Sequence, residues 1–379
     1  MPRPPRAGTA LAALPLALAL TACSQPADDG SASGEGPITV AASDSACDVE
    51  RSEAPAGTVE FSVTNQGSKV NEFYVYAEGD RIMGEVENIG PGLTRSFLVE
   101  LAEPGEYETA CKPGMVGDGI RSTFTVTGES AAPKTDDENL QNAVTEYQRY
   151  VASQSDAFLD RTTEFVGLVK DGKVEEAKAL YPVARSYWER IEPVAESFGD
   201  LDPKIDGRED VIDEGMEFTG YHRLEKDLWE DGLQDDSSAV ADQLLTDVTE
   251  LVGKAKSVEL NPLQLANGSK ALLDEIATGK ITGEEERYSH TDLWDFEANF
   301  EGSKAAIQAL RPYLQEQDPE LVATIDERGE ALGSLLETHR EGDGFVLYTA
   351  LTDAEVKKLS EALDAFAEPV STVAGVVAG

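Results

Sequence analysis

The stretch ESAAPKTDDENLQNAVTEYQRYVASQSDAFLDRTTEFVGLVK, residues 129–170, changes character partway along its length. Its first ten residues are polar, include Pro133 and follow no period, as expected of a linker. From Leu140 onward apolar residues recur every three or four positions, through Val144, Tyr147, Val151, Phe158 and Phe165. That is the pattern of one face of a long helix.

On the N-terminal side, PITVAAS, TVEFSVTNQG, NEFYVYAEG, TRSFLVELAEPGEYETAC and RSTFTVTG alternate apolar with polar residues between Gly, Pro and Asn turns. Short strands at close spacing predict a β-sandwich over residues 37–128. On the C-terminal side, KVEEAKALYPVARSYWERIEPVAESFG, SSAVADQLLTDVTELVGKAKSVEL, NPLQLANGSKALLDEIATG and HTDLWDFEANFEGSKAAIQALRPYL keep the helical period, as do two later stretches. Residues 139–379 therefore read as helices joined by short turns, in two blocks that suit a pair of bundles without a clear repeat. The fold class expected is multidomain: an all-β sandwich, a linker at 129–138, and an all-α helical-bundle domain.

The N-terminus sets the expected compartment. Arg3 and Arg6 precede TALAALPLALALTAC, an apolar run too short to span a bilayer as a mature helix. It reads as an export signal over residues 1–22. Leu20–Cys23, LTAC, resembles a bacterial lipobox, which implies cleavage before Cys23, lipidation of its thiol and a tether over 23–36. An ordinary signal peptide with a chance cysteine is the alternative. Extracytoplasmic, lipid-anchored attachment to the cell membrane and an oxidising milieu are the expectations. Against 31 basic residues stand 73 acidic ones, a formal charge of -42. Such a surface repels nucleic acid and attracts cations.

The chain has three histidines, and one lies in GYHRLEKDLWE, where Glu225 follows His222 by three residues. On a helix that spacing puts both side chains on one face. Glu189 and Glu192 repeat it in SYWERIEPVAE, and DLDPKIDGRED adds Asp202, Asp206 and Asp210. By spacing alone, such pairs are most often solvated surface. Several carboxylates with one imidazole also form the donor set that iron accepts. His290 reads as a residue at the start of a helix, and Trp188, Trp229 and Trp294 as packing between helices.

The blocks YWERIEPVAESFGDLDPKIDGRED, EFTGYHRLEKDLW and GEEERYSHTDLWDFEAN resemble those of the imelysin-like (HxxE) domain, and more closely the EfeO-type family of iron-uptake lipoproteins, over most of residues 139–379. The resemblance implies a metal site of Glu189, Glu192, Asp206, His222 and Glu225. Within the run Glu284–Glu286 it assigns Glu285 as a sixth ligand. It further implies iron as cargo and an Efe-type permease and a haem peroxidase as partners; binding of this kind does not by itself imply turnover.

Two other readings stay open. A zinc peptidase of the HExxH kind needs a second histidine one turn away, which His222 lacks. A polysaccharide-binding or adhesion lipoprotein would keep the helices without a tight metal.

In the sandwich, Cys47 and Cys111 remain, the latter in ETACKPGM. The late CxPGM loop resembles a cupredoxin, yet the domain has no histidine for a blue-copper centre. The resemblance is to the modified cupredoxin domain of EfeO-type proteins, which implies copper ligation by Cys47, Glu72, Cys111 and Met115 and assistance in oxidising ferrous iron. A Cys47–Cys111 disulfide is the competing expectation for an exported domain.

Overall fold

A computed structural model describes residues 36–131, 137–195, 198, 201–209 and 217–379. The signal peptide, Cys23, most of the tether, the middle of the linker and Asp210 lie outside the described residues. Pro37 to Gly379 pack as one compact unit.

Nine strands build the sandwich: β1 Ile38–Ala42, β2 Cys47–Val49, β3 Glu53–Pro55, β4 Gly57–Asn65, β5 Asn71–Ala77, β6 Arg81–Ile89, β7 Thr94–Leu101, β8 Gly105–Cys111 and β9 Ile120–Thr127. One sheet has the order β2-β1-β4-β7 and the other β3-β9-β8-β5-β6. β1 runs parallel to β4, and β3 parallel to β9. The alternation read from the sequence buries Val59, Phe61 and Val63 of β4 on one face. Phe61 meets Phe73, Phe97 and Phe124 at centroid distances of 5.2, 5.7 and 5.5 Å, which closes the core between the sheets.

Cys47 and Cys111 form a disulfide inside that core, joining β2 of one sheet to β8 of the other. Closing a loop of 64 residues restricts the unfolded chain by about 4 kcal/mol in the chain-entropy account.

Eleven α-helices are described: α1 Glu138–Lys170, α2 Val174–Glu189, α3 Glu192–Ala195, α4 Leu201–Asp206, α5 Gly220–Lys226, α6 Ser237–Ala255, α7 Pro262–Thr278, α8 Asp292–Gln317, α9 Pro319–Glu337, α10 Asp353–Val370 and α11 Val373–Ala378. A two-stranded ribbon, Arg340–Glu341 with Gly344–Phe345, follows α9. Asp137 caps α1 by accepting from the backbone of Asn139 and Leu140.

The helices bury two separate cores. Leu140, Ala143, Tyr147 and Val151 of α1 enter one, with α7 to α11. Phe158, Phe165, Val166 and Val169 enter the other, with α2 and α4 to α6. The expected pair of bundles is thus built on one shared helix, about 50 Å long at 1.5 Å per residue.

The sandwich docks on α7. Asn267 Nδ2 donates to the Leu98 carbonyl at 2.7 Å, and Arg95 pairs with Asp274 at 3.1 Å. No helix among the described residues is long and apolar enough to cross a membrane.

Candidate metal centre

The carboxylates and imidazole singled out in the sequence meet at the seam between the two bundles. α5 carries His222 and Glu225 on one face, as the spacing requires. Its first residue, Gly220, has φ +76°, and a Cβ there would lie 2.2 Å from the Ile205 carbonyl oxygen. Only glycine lets α5 start so close to the end of α4, and that approach sets His222 beside Asp206.

Glu189 and Glu192 come together differently from the single helical face expected. α2 ends at Glu189, and Glu192 opens α3 after a turn. Pro193 has no N–H to donate to the Glu189 carbonyl, so the helix cannot run on. Asn299 of α8 takes over that bond, its Nδ2 lying 2.8 Å from the Glu189 carbonyl oxygen. The same amide reaches Glu189 Oε2 at 3.0 Å and Glu192 Oε2 at 2.9 Å, clamping the two acids together.

Three groupings place donor atoms within 4.8 Å of one another: Asp206, His222 and Glu285; His222, Glu225 and Glu286; and Glu189, Glu192 and Asp206. All six residues assigned in the sequence are therefore neighbours, and Glu286 joins them. Glu225 holds a separate position among them. Its Oε2 faces His222 Nδ1 at 3.0 Å, and its Oε1 accepts from the backbone of Tyr288 and Ser289 at 3.0 and 2.7 Å. Ionised Glu225 can only accept, so Nδ1 carries the proton and Nε2 is the ring atom left to bind. That Nε2 is buried without a hydrogen bond, 3.6 Å from Asp206 and 3.7 Å from Glu285. A buried imidazole nitrogen facing carboxylate oxygens suits a transition-metal ion.

Charge in the cage is partly balanced from within. Arg185, fully buried on α2, pairs with Glu189, Asp206 and Glu286. Lys280, in the turn after α7, is 1% exposed and reaches Glu192 at 3.3 Å and Glu189 at 3.4 Å. Burial pushes Glu285 up, but Lys280 and Arg208 overcome it and hold the carboxyl well below its ordinary range. Burial, then the charge of Glu225, lifts Glu286 to about 8. Burial and Arg185 press His222 down, yet the bond to Glu225 and the nearby Glu285 carboxylate prevail and carry it to about 9.

Arg185, Lys280, Asn299 and Glu286 were not singled out in the sequence. Arg185 alone had a local signal, four residues before Glu189. The tryptophans pack as expected: Trp188 on Phe158, Trp229 on Tyr181 and Trp294 on Phe345. His290 lies just before α8, with its carbonyl accepting from Tyr348, and belongs to none of the metal groupings.

In the sandwich, the competing expectation of a disulfide is the one met. Cys47 and Cys111 share one disulfide and so offer no thiolate. Glu72 points to the other face of its sheet: Phe73 and Val75 fill the core, whereas Glu72 accepts from Tyr74 on the outer face at 2.9 Å. Met115 lies in the loop after β8 with φ +63°.

That outer face lines a chamber of about 910 Å³ with Asp202, Asp206, Glu192, Glu275 and Glu285 of the helical part. Glu72, Glu85 and Glu87 stand on its sandwich side. The Tyr74 hydroxyl lies 2.9 Å from both Glu72 and Glu87, so one hydrogen serves two acids. Burial raises Glu72 to about 7, and burial with the charge of Glu72 raises Glu85 to about 8.

A cupredoxin-like sandwich joined to a two-core helical domain with a buried carboxylate–histidine cage defines a two-part class of protein, and comparison with known proteins agrees on the two parts. The imelysin family model matches residues 143–373, and the model of the cupredoxin-like domain matches residues 10–126. The protein named iron uptake system component EfeO from Escherichia coli O157:H7 is 37% identical over 346 residues, 90% of this chain and 91% of its own length. Those of Escherichia coli K12 and Shigella flexneri match to the same extent. The chain belongs to the EfeO family.

Proposed function

We propose that this chain is the extracytoplasmic iron-binding component of an Efe-type uptake system, with iron as its cargo. The observation that carries the reading is His222 Nε2, buried, unbonded and facing Asp206 and Glu285. Glu189 and Glu192 extend the oxygen-rich set through Asp206, and Glu225 orients the ring. The acid-lined chamber gives a cation a wet approach to Asp206, Glu192 and Glu285. Handover to a membrane permease, a haem peroxidase partner and lipid anchoring through Cys23 belong to the same proposal. They rest on family resemblance and on the N-terminal sequence.

A peptidase reading finds no support in the cage, because none of the groupings among the described residues holds more than one histidine, and that one is His222. The test is calorimetric titration of ferric citrate into the whole mature chain, beside His222→Ala and Asp206→Asn. Saturable binding in the parent, weakened at least tenfold in both variants, is expected. Equal weak binding by all three would reduce the cage to a general cation attractor and end the proposal.

A further inference from the structure

Lys280 follows the C-terminal Gly279 of α7 and opens a single 3-10 turn, Lys280–Thr282. A lysine in a turn between helices ordinarily reaches solvent. This one is buried, and its Nζ stands among four carboxylates: Glu192 at 3.3 Å, Glu189 at 3.4 Å, Glu275 at 3.7 Å and Glu285 at 3.8 Å. Only the contact with Glu192 is a hydrogen bond. The ammonium is therefore held by charge from several sides, as a small cation would be.

Arg185 is held in another way. It pairs with Glu189, Asp206 and Glu286, and its planar head lies 5.9 Å from the Tyr221 ring. A guanidinium fixed by several partners and by packing forms a wall of the cage. The lysine head, a point charge on a four-carbon stem, can swing. Three of its four carboxylates, Glu189, Glu192 and Glu285, are also assigned to the metal.

We propose that Lys280 is a tethered competitor for the cage, a resident cation that an incoming metal ion must displace from Glu189, Glu192 and Glu285. The inference rests on the iron-binding reading above and adds a determinant of affinity and selectivity. Displacing one ammonium costs the same whichever ion arrives. A divalent ion such as calcium or magnesium, which gains less from the carboxylates than a trivalent one, is then excluded. One that gains much, such as ferric ion, binds with lowered affinity and remains releasable.

The test compares the whole mature chain with Lys280→Met and Lys280→Arg, using ferric citrate and calcium chloride as separate titrants. Lys280→Met should bind ferric ion at least tenfold more tightly and should acquire millimolar calcium binding, seen also as a rise in Tm on adding calcium. Lys280→Arg should keep the parent's indifference to calcium. Ferric affinity within twofold of the parent, with no response to calcium, would overturn the proposal. So would a folded Lys280→Met that binds ferric ion more weakly, since the lysine would then support the cage.

Should Lys280→Met not fold, the parent decides. Lysine Cε resonances are recorded with gallium(III) as a diamagnetic stand-in, and the signal missing from Lys280→Arg must move on loading. A signal that stays fixed overturns the proposal. Failure of the parent to bind ferric ion at all would remove the iron reading itself, a distinct result.

Discussion

Glu225 has both oxygens engaged by the protein, one by the imidazole and one by two backbone N–H groups. In the proposed site it positions His222, and substitution tests that role. Glu225→Gln keeps size and shape but sets an amide against donors that need an acceptor. Metal affinity should fall roughly 10–100-fold, the usual effect of losing the partner of a ligating histidine. Calorimetry with ferric citrate checks this, and a loss as complete as that of His222→Ala would make Glu225 a ligand instead. The pairing of His222 with Glu225 was legible in the sequence because three-residue spacing on a helix fixes a shared face. What each oxygen of Glu225 would meet was not, since Tyr288 and Ser289 arrive from more than sixty residues away.

Among the elements, the break between α2 and α3 shapes the cage most. Pro193 frees the Glu189 carbonyl, and Asn299 of α8 satisfies it while gripping both acids. Asn299→Ala leaves a buried carbonyl without its donor and takes one of several partners from two carboxylates, which keep Arg185 and Lys280. It should cost about 1–3 kcal/mol of stability, read from denaturant unfolding, and should weaken ferric binding as well. Stability within 0.5 kcal/mol of the parent would show that water replaces the amide. Pro193 stood in plain view in the sequence, but an unbroken helical period across Glu189 and Glu192 concealed the turn. The partner that repairs the break sits on another helix, which periodicity cannot reveal.

Over the whole molecule, the sandwich and the helices share a chamber in which two acids on the sandwich side, Glu72 and Glu85, are protonated more readily than usual. Glu72 and Glu85 rise from an ordinary value near 4.5 to about 7 and about 8. The folded protein therefore holds protons that the unfolded chain has released. The resulting stability is complete below about pH 4.5 and is lost as pH rises through 7 and 8. Glu85→Gln removes one such group. Its Tm should exceed the parent's at pH 8 by roughly 2 °C and match it near pH 4, as scanning calorimetry at the two pH values will show. A lower Tm at pH 8 would mean that the ionised carboxylate is welcome there.

The split into sandwich and helices was legible from residues 129–170, where the apolar period changes. Period-two alternation also told which face of β5 turns inward. It could not tell what covers the other face, so the place of Glu72 in a wall facing the helices was not legible. The two bundles were legible as two blocks, but their common use of α1 was not. That shared helix has a further consequence. α1 contains no proline, and its one glycine, Gly167, lies near its end. Long helices bend sharply at prolines, at Gly/Ser pairs or at inserted turns, and α1 crosses the seam with none of these. The two bundles therefore cannot swing apart like jaws about a hinge, as many two-lobed binding proteins do. On the proposed function, a cation bound for Asp206 or Glu285 then approaches from the acid-lined chamber that faces the sandwich.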